Sequence, residues 1–268
     1  MSGLVVEIHD LVKRYGGFTA VDGLSLSIPR PSLFALLGPN GAGKTTTIKL
    51  LMGMLQPTAG TVRVCGLDAF RDGVAAKARI GYLPDETSFY DFLRGREIVR
   101  FAGEMHGLNR RTIDERCNML GDRLQLSDAL DEFAENYSRG MKKKLGLMCA
   151  LIHEPELLIL DEPTNGLDPH GTVVLHALMR EAVAAGRTVL FSTHLLEQAE
   201  RLCDRVAVMS RGRLAAEGTL EDLRQRFGAG ASLETLFFEL TEAATDSELA
   251  APPSNGMEAT AASGESVR

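Results

Sequence analysis

An unbroken apolar run, Leu33-Phe34-Ala35-Leu36-Leu37, leads directly into Gly38-Pro39-Asn40-Gly41-Ala42-Gly43-Lys44-Thr45, and a helically spaced stretch to Met54 follows before Pro57. A short continuous apolar run bounded by Gly-Pro is the pattern of a strand buried on both faces, the condition of a parallel sheet covered by helices. The eight residues after it match G-x-x-x-x-G-K-[ST], between a strand and a helix, where that pattern carries meaning. Its glycines let the backbone turn N–H groups toward an anion, and the helix N-terminus adds a partial positive charge. Gly38, Pro39, Asn40, Gly41, Ala42, Gly43, Lys44, Thr45 and the adjoining Thr46 are therefore expected to cradle the phosphates of a nucleoside triphosphate. Lys44 supplies a full charge to the β- and γ-phosphates, and the Thr45 hydroxyl is a ligand for Mg²⁺.

Weakly alternating segments at Leu4–Ile8, Ser25–Ile28 and Thr61–Val64 read as strands, and Leu157–Leu160 and Thr188–Phe191 as two more buried strands. Between Glu86 and about Glu154 the pattern is helical and charged, which reads as a helical insert in a parallel-sheet core. The Leu157–Leu160 run ends in Asp161-Glu162. Neighbouring side chains on a strand point to opposite faces, so the two carboxylates cannot share one role. Phosphate hydrolysis needs a metal-holding carboxylate and one that orients and deprotonates water. Asp161 is assigned to the metal and Glu162 to the water.

Net charge is −7, of which the tail from Thr241 to Arg268 carries −4 and the first 240 residues −3. That balance lacks the basic footprint of a nucleic-acid binder, and no such partner is expected. The tail has no aromatic residue and is rich in Ala, Ser, Thr, Pro, Gly and Glu; its composition predicts an acidic disordered segment. The longest apolar run, Leu145–Ile152, has eight residues, well short of a membrane span. The first residues lack a basic n-region, so no signal peptide is expected. Cys65, Cys117, Cys149 and Cys203 are widely spaced among apolar neighbours and read as reduced core thiols of a cytosolic protein. Gly186, Gly212 and Gly218 read as turns.

Lys44 and Asp161 are 117 residues apart, too far for one crossover. Near the end of the intervening segment stands Tyr137-Ser138-Arg139-Gly140-Met141, then Lys142-Lys143-Lys144. With these residues the chain resembles, over about residues 4–240, the ATP-binding subunit of an ABC transporter. Tyr137–Met141 resembles that family's signature, LSGGQ, with matches at Ser138 and Gly140. Asn165-Gly166-Leu167-Asp168 resembles its D-loop, His194 its switch histidine, and Tyr15 its adenine-stacking aromatic. The resemblance implies an α/β fold: a P-loop NTPase core with a mostly parallel sheet, an N-terminal antiparallel β subdomain and an inserted helical subdomain, together spanning residues 1–240. It also implies ATP bound between two cassettes, a second copy or a paralogue, paired head to tail. Ser138, Gly140, Asp168 and the helix from Met141 of one cassette then cover nucleotide held by the other, and His194 meets the γ-phosphate.

Tyr137, Arg139 and Met141 depart from the signature pattern, and Asp85 from a further family position. Arg139 replaces a glycine, either adding charge beside the triphosphate or pointing away. Asp85, after Ile80-Gly81-Tyr82-Leu83-Pro84, stands where the family has a Mg²⁺-ligating Gln; a carboxylate can take that place, and Glu86 is a substitute. The lysine run reads as a solvated helix face. Tyr15 could also be a strand-edge side chain, and Asp168 a capping one. Phe89, Tyr90 and Phe92 read as partner contacts or as packing within the helical insert.

The implied function is an ATPase subunit at the cytoplasmic face of the membrane, powering transport through a separate permease. The short chain, the YSRGMKKKL segment and the closing Leu233–Leu240 stretch resemble most the ATPases of ABC-2-type drug and antibiotic exporters. An importer ATPase and a soluble ABC-type ATPase of DNA repair or translation are the alternatives. The insert has neither the heptads nor the cysteine clusters of repair members, and the tail is too short for an importer's regulatory domain.

Overall fold

The computed structural model describes residues 3–227 together with 237 and 238. The acidic tail, and all but two residues of the Leu233–Leu240 stretch, lie outside the described residues.

Among the described residues, ten strands build two sheets. Strands β1 (Leu4–Tyr15), β2 (Phe18–Pro29), β3 (Leu33–Leu37), β4 (Ala59–Val64), β5 (Leu67–Asp68) and β6 (Ile80–Leu83) precede β7 (Leu157–Asp161), β8 (Thr188–Thr193), β9 (Arg205–Ser210) and β10 (Arg213–Thr219). The first sheet has the order β2-β1-β4-β5 and is antiparallel throughout. The second has the order β10-β9-β3-β8-β7-β6, and only the β9–β10 pair is antiparallel. Among the described residues the helices are α1 (Lys44–Leu51), α2 (Gly73–Lys77), α3 (Gly95–Met105), α4 (Arg110–Leu124), α5 (Arg139–Leu151), α6 (Pro169–Ala184), α7 (Leu196–Leu202) and α8 (Leu220–Phe227).

The parallel sheet is buried on both sides because its central strands carry continuous apolar runs, Leu33–Leu37, Leu157–Leu160 and Val189–Phe191. Leu33, Ala35 and Leu37 pack with the side chains of α5 and α6, while Phe34 and Leu36 face the opposite core with Ile48 of α1 and Val21 of β2. In β7 the same alternation sends Leu158 and Leu160 to one core and Leu157 and Ile159 to the other. Between β6 and β7, α3, α4 and α5 lie with two short 3₁₀ turns. Their inner residues, including Val99, Cys117, Leu120, Leu130 and Leu145, join the α5–α6 core. Gly81 of β6 lets this body approach the sheet: a Cβ there would lie 2.1 Å from the Ala150 carbonyl oxygen.

Several local expectations change. β1 and β2 are each 12 residues long, far longer than their alternating segments suggest, because they pair as one hairpin. β9 and β10 are absent from the sequence reading; they form a hairpin across Arg211-Gly212, both at positive φ. Gly218 is no turn but lies inside β10, opposite Val206. The β9–β10 turn is stitched into the first sheet and the Gly38–Thr45 loop: the Gly212 carbonyl accepts from Asp22 N–H at 2.9 Å, and Gly212 N–H donates to the Ala42 carbonyl at 3.0 Å. Arg213 adds an ion pair to Asp22 at 2.6 Å. All four cysteines are free, and burial raises each thiol above its ordinary pKa. No helix among the described residues is long and apolar enough to cross a membrane.

His106, at the end of α3, and His153, after α5, stack with ring centroids 3.5 Å apart and planes 8° from parallel. The His153 Nε2 lies 3.1 Å from the Ile80 carbonyl oxygen. Burial, then the neighbouring His106, lowers the His153 pKa from its ordinary 6.5 to about 4. The unfolded chain therefore takes up this proton first as pH falls. The stability contributed by the neutral ring is full above pH 6.5 and is lost as pH falls toward 4. Thermal melts should show the midpoint falling through this window, with a flatter decline in His153→Gln; equal slopes for the two proteins would refute this origin.

Candidate nucleotide site

β3, β6, β7 and β8 carry candidate functional residues at or just past their C-terminal ends, where ligands of open α/β sheets bind. The loop leaving β3 enters α1 at Gly43, whose φ of +100° suits glycine; a Cβ there would also lie 2.5 Å from the Ala20 carbonyl oxygen. The first turn of α1 has no side-chain cap and no acidic residue, so its free N–H groups and positive dipole end are uncompensated. Gly41, at φ +82°, opens onto space, with nothing within 4 Å of an added Cβ. Together these form an anion cradle, part of a cleft of about 260 Å³ lined by Phe18, Ala20, residues 39–46, Asp85 and Glu162.

Lys44 is buried and folds back onto the loop, donating from Nζ to the Gly38 carbonyl at 2.7 Å and the Pro39 carbonyl at 3.3 Å. Burial lowers its pKa, opposed by the charges of Glu162 and Asp161. Glu162 Oε1 lies 3.8 Å from this ammonium, and Glu162 Oε2 lies 3.0 Å from His194 Nδ1. Lys44 and His194, from the ends of two different elements, thus bracket one buried carboxylate.

Asp161 and Glu162 are both buried and face different partners. Ser192, opposite Asp161 in the β7–β8 register, donates its hydroxyl to Asp161 Oδ1 and accepts the Glu162 N–H at 3.0 Å. Glu162 has φ +43°. Left-handed backbone at a non-glycine residue costs about 1–3 kcal/mol and persists only where the surroundings impose it. Here Ser192, Lys44 and His194 do so.

The donors suit Mg²⁺ bound together with a nucleotide. Among the described residues there is no cluster of three or more His, Cys, Asp or Glu fit to hold a metal alone. Mg²⁺ is usually taken up by one or two carboxylates plus substrate phosphates. Thr45, exposed at the head of α1, and Asp161 are the groups available for that role. Asp85, also expected at the metal, is engaged elsewhere: its Oδ1 accepts from Asn165 Nδ2 at 3.0 Å and lies 3.8 Å from Lys143 Nζ.

The lysine run is not a solvated face. Lys143 is buried, Lys142 pairs with Asp91 at 3.5 Å, and Lys144 is half-buried. Lys143 belongs to the apolar side of α5, four residues before Leu147, and that spacing is the signal by which it could be found.

Other expected residues lie away from the cleft. Tyr15 is 46% exposed, with the Lys13 ammonium 5.1 Å from its ring centre; Phe18, its partner across the β1–β2 hairpin, lines the cleft. Ser138 caps α5 by accepting the Met141 N–H at 3.2 Å. The Arg139 stem lies over Gly166, and a Cβ on Gly140 would lie 2.9 Å from the Gly166 carbonyl oxygen. Asp168 caps α6, accepting the Gly171 N–H at 2.6 Å. Ser138, Gly140 and Asp168 therefore form a second surface that does not line this chain's own cleft. Ser192, Lys143 and Phe18 were not singled out in the sequence; Ser192 is found only through its register with Asp161.

A model of the family described as "ABC transporter" matches residues 21–165. The daunorubicin resistance ATP-binding protein DrrA3 of Streptomyces coeruleorubidus is 40% identical over 228 residues, covering 85% of this chain and 72% of its own. The Nod factor export ATP-binding protein I of Ralstonia nicotianae is 39% identical over 219 residues, covering 82% and 68%. A solved ATP-binding subunit of an ABC transporter superposes with a TM-score of 0.85 at 36% identity, covering 88% of this chain and 99% of that one. Its loop, paired carboxylates and sheet topology, together with these matches, make the chain a member of the ABC transporter ATP-binding family, an ATPase cassette.

Proposed function

We propose that this cassette pairs head to tail with a second copy or a paralogue around ATP and Mg²⁺, and that hydrolysis drives export through a separate membrane permease. On this reading it sits peripherally on the cytoplasmic face of the membrane and has no nucleic-acid partner. The supporting observation is the split between two surfaces. Lys44 and Glu162 line one cleft, with His194 bonded to Glu162, while the α5 N-terminus with Ser138 and Gly140 faces solvent elsewhere. Two such surfaces can complete each other between two cassettes.

The chain's own groups suit the reaction. Lys44 can exchange the Gly38 and Pro39 carbonyls for phosphate oxygens, which frees Glu162 to take the proton from the attacking water. His194, released from Glu162, can hold the γ-phosphate. Bound through Thr45 and Asp161, Mg²⁺ would neutralise phosphate charge. Tyr15 and Phe18 at the hairpin tip are the aromatic surface for adenine. Export is supported by relatives named for daunorubicin resistance and Nod factor export.

The permease is assigned to the aromatic stretch before α3 and the adjoining apolar face of that helix. Phe89 packs partly into the helical core, whereas Tyr90 and Phe92 are 70% and 72% exposed. The adjoining groove of about 600 Å³ is lined by Phe89, Tyr90, Leu93, Phe101 and Met105.

Three variants test this reading. Positioned general-base catalysis is worth about 10²–10⁴-fold, so Glu162→Gln should bind ATP and lose turnover on that scale. With ATP and Mg²⁺ it should elute as a dimer in size-exclusion chromatography; a persistent monomer, even with its permease supplied, would sink the head-to-tail scheme. Base–aromatic stacking is worth about 1–3 kcal/mol, so Tyr15→Ala should weaken ATP binding by about 5–150-fold, and unchanged affinity would leave Tyr15 a strand-edge residue. Phe92→Asp should abolish co-purification with the permease while isolated ATPase activity persists; intact association would move the contact elsewhere.

A further inference from the structure

Lys143 is 2% exposed on the second turn of α5. Its Nζ donates to the Asp85 carbonyl at 2.8 Å, the Pro84 carbonyl at 3.1 Å and the Asp161 carbonyl at 3.5 Å, and lies 3.8 Å from Asp85 Oδ1. These carbonyls end β6 and β7. The Asp85 carboxylate in turn accepts from Asn165, in the loop between β7 and α6. One ammonium therefore joins the signature helix, the ends of two core strands and the loop leading to α6.

Stability alone is a poor reason for this arrangement. An apolar side chain of similar length would bury the same stem without desolvating a charge, and such replacements of buried ion pairs are often neutral or stabilising. What an apolar residue cannot do is bind three carbonyls and a carboxylate at fixed directions. Asp161 is the residue whose main chain is held, and its neighbour Glu162 has the left-handed backbone.

We propose that Lys143 is a positioning residue for ATP hydrolysis: it locks Asp161 and Asp85 to the first turns of α5, so that the hydrolytic carboxylates and the signature turn of one cassette shift as a single unit. The proposal rests on the reading that Asp161 and Glu162 serve hydrolysis. It gives Asp85 a different task from metal binding, that of linking Lys143 to Asn165.

Steady-state kinetics of the full-length chain, with its permease or as the isolated cassette, test it. Outer-shell partners of metal-site groups typically contribute about 10–100-fold. Lys143→Met should lower kcat on that scale while KM for ATP stays within about threefold. Asp85→Asn should also lower kcat. Because both remove one linkage, the double variant should fall within about threefold of the slower single variant. Unchanged kcat in Lys143→Met, or losses that multiply in the double variant, overturns the proposal. Should Lys143→Met fail to fold, Lys143→Arg, which keeps a charge and N–H donors, should retain kcat within about tenfold; a folded Lys143→Arg with a greater loss at unchanged KM for ATP overturns the proposal too. Full turnover in Glu162→Gln sinks the assignment of the carboxylates whatever Lys143 does, so the two failures are distinguishable.

Discussion

A buried positive charge beside a buried carboxylate organises this molecule. Lys44 gives up most of its hydration at the head of α1, and the Gly38 and Pro39 carbonyls with Glu162 replace it. Two charges at 3.8 Å interact weakly in water and several-fold more strongly away from it. That arrangement needs a frame that brings a loop and a strand end together while excluding solvent. The parallel strands supply it, since their C-terminal ends are in register and both faces are covered. The apolar runs within β3, β7 and β8 are thus the condition under which the charged residues at their ends can act.

The same frame explains why some parts were legible in the chain and others were not. Residues 33–45 announce a strand, a turn and a helix, because burial on both faces leaves a continuous apolar run and phosphate loops demand glycine. Asp161 and Glu162 stood out because a carboxylate pair closes such a run in a chain that also carries a phosphate loop. β9 and β10 did not. Ala215, Ala216 and Glu217 are good helix formers held in a strand by pairing with β9, an instance of tertiary contacts overriding local preference. Lys143 was hidden by composition: among three adjacent lysines, only position on the α5 wheel separates the buried one from its neighbours.

Asp85 and Asp168 show a second limit. Each carboxylate was read by analogy with a site, and each takes part in a local hydrogen bond, to Asn165 and Gly171. Motif order places such residues near the chemistry, but which donor a short carboxylate meets depends on backbone geometry several elements away. The Asp85–Asn165 bond spans 80 residues of sequence.

The β9–β10 turn bonds to β2 on one side and to the phosphate loop on the other. Through Gly212, the antiparallel sheet, the sheet edge and the loop are fastened as one block. Whatever displacement follows the gain or loss of a phosphate cannot be absorbed at that seam without breaking these bonds. The phosphate loop and the strand that carries Asp22 therefore keep one relative position for as long as those two bonds hold.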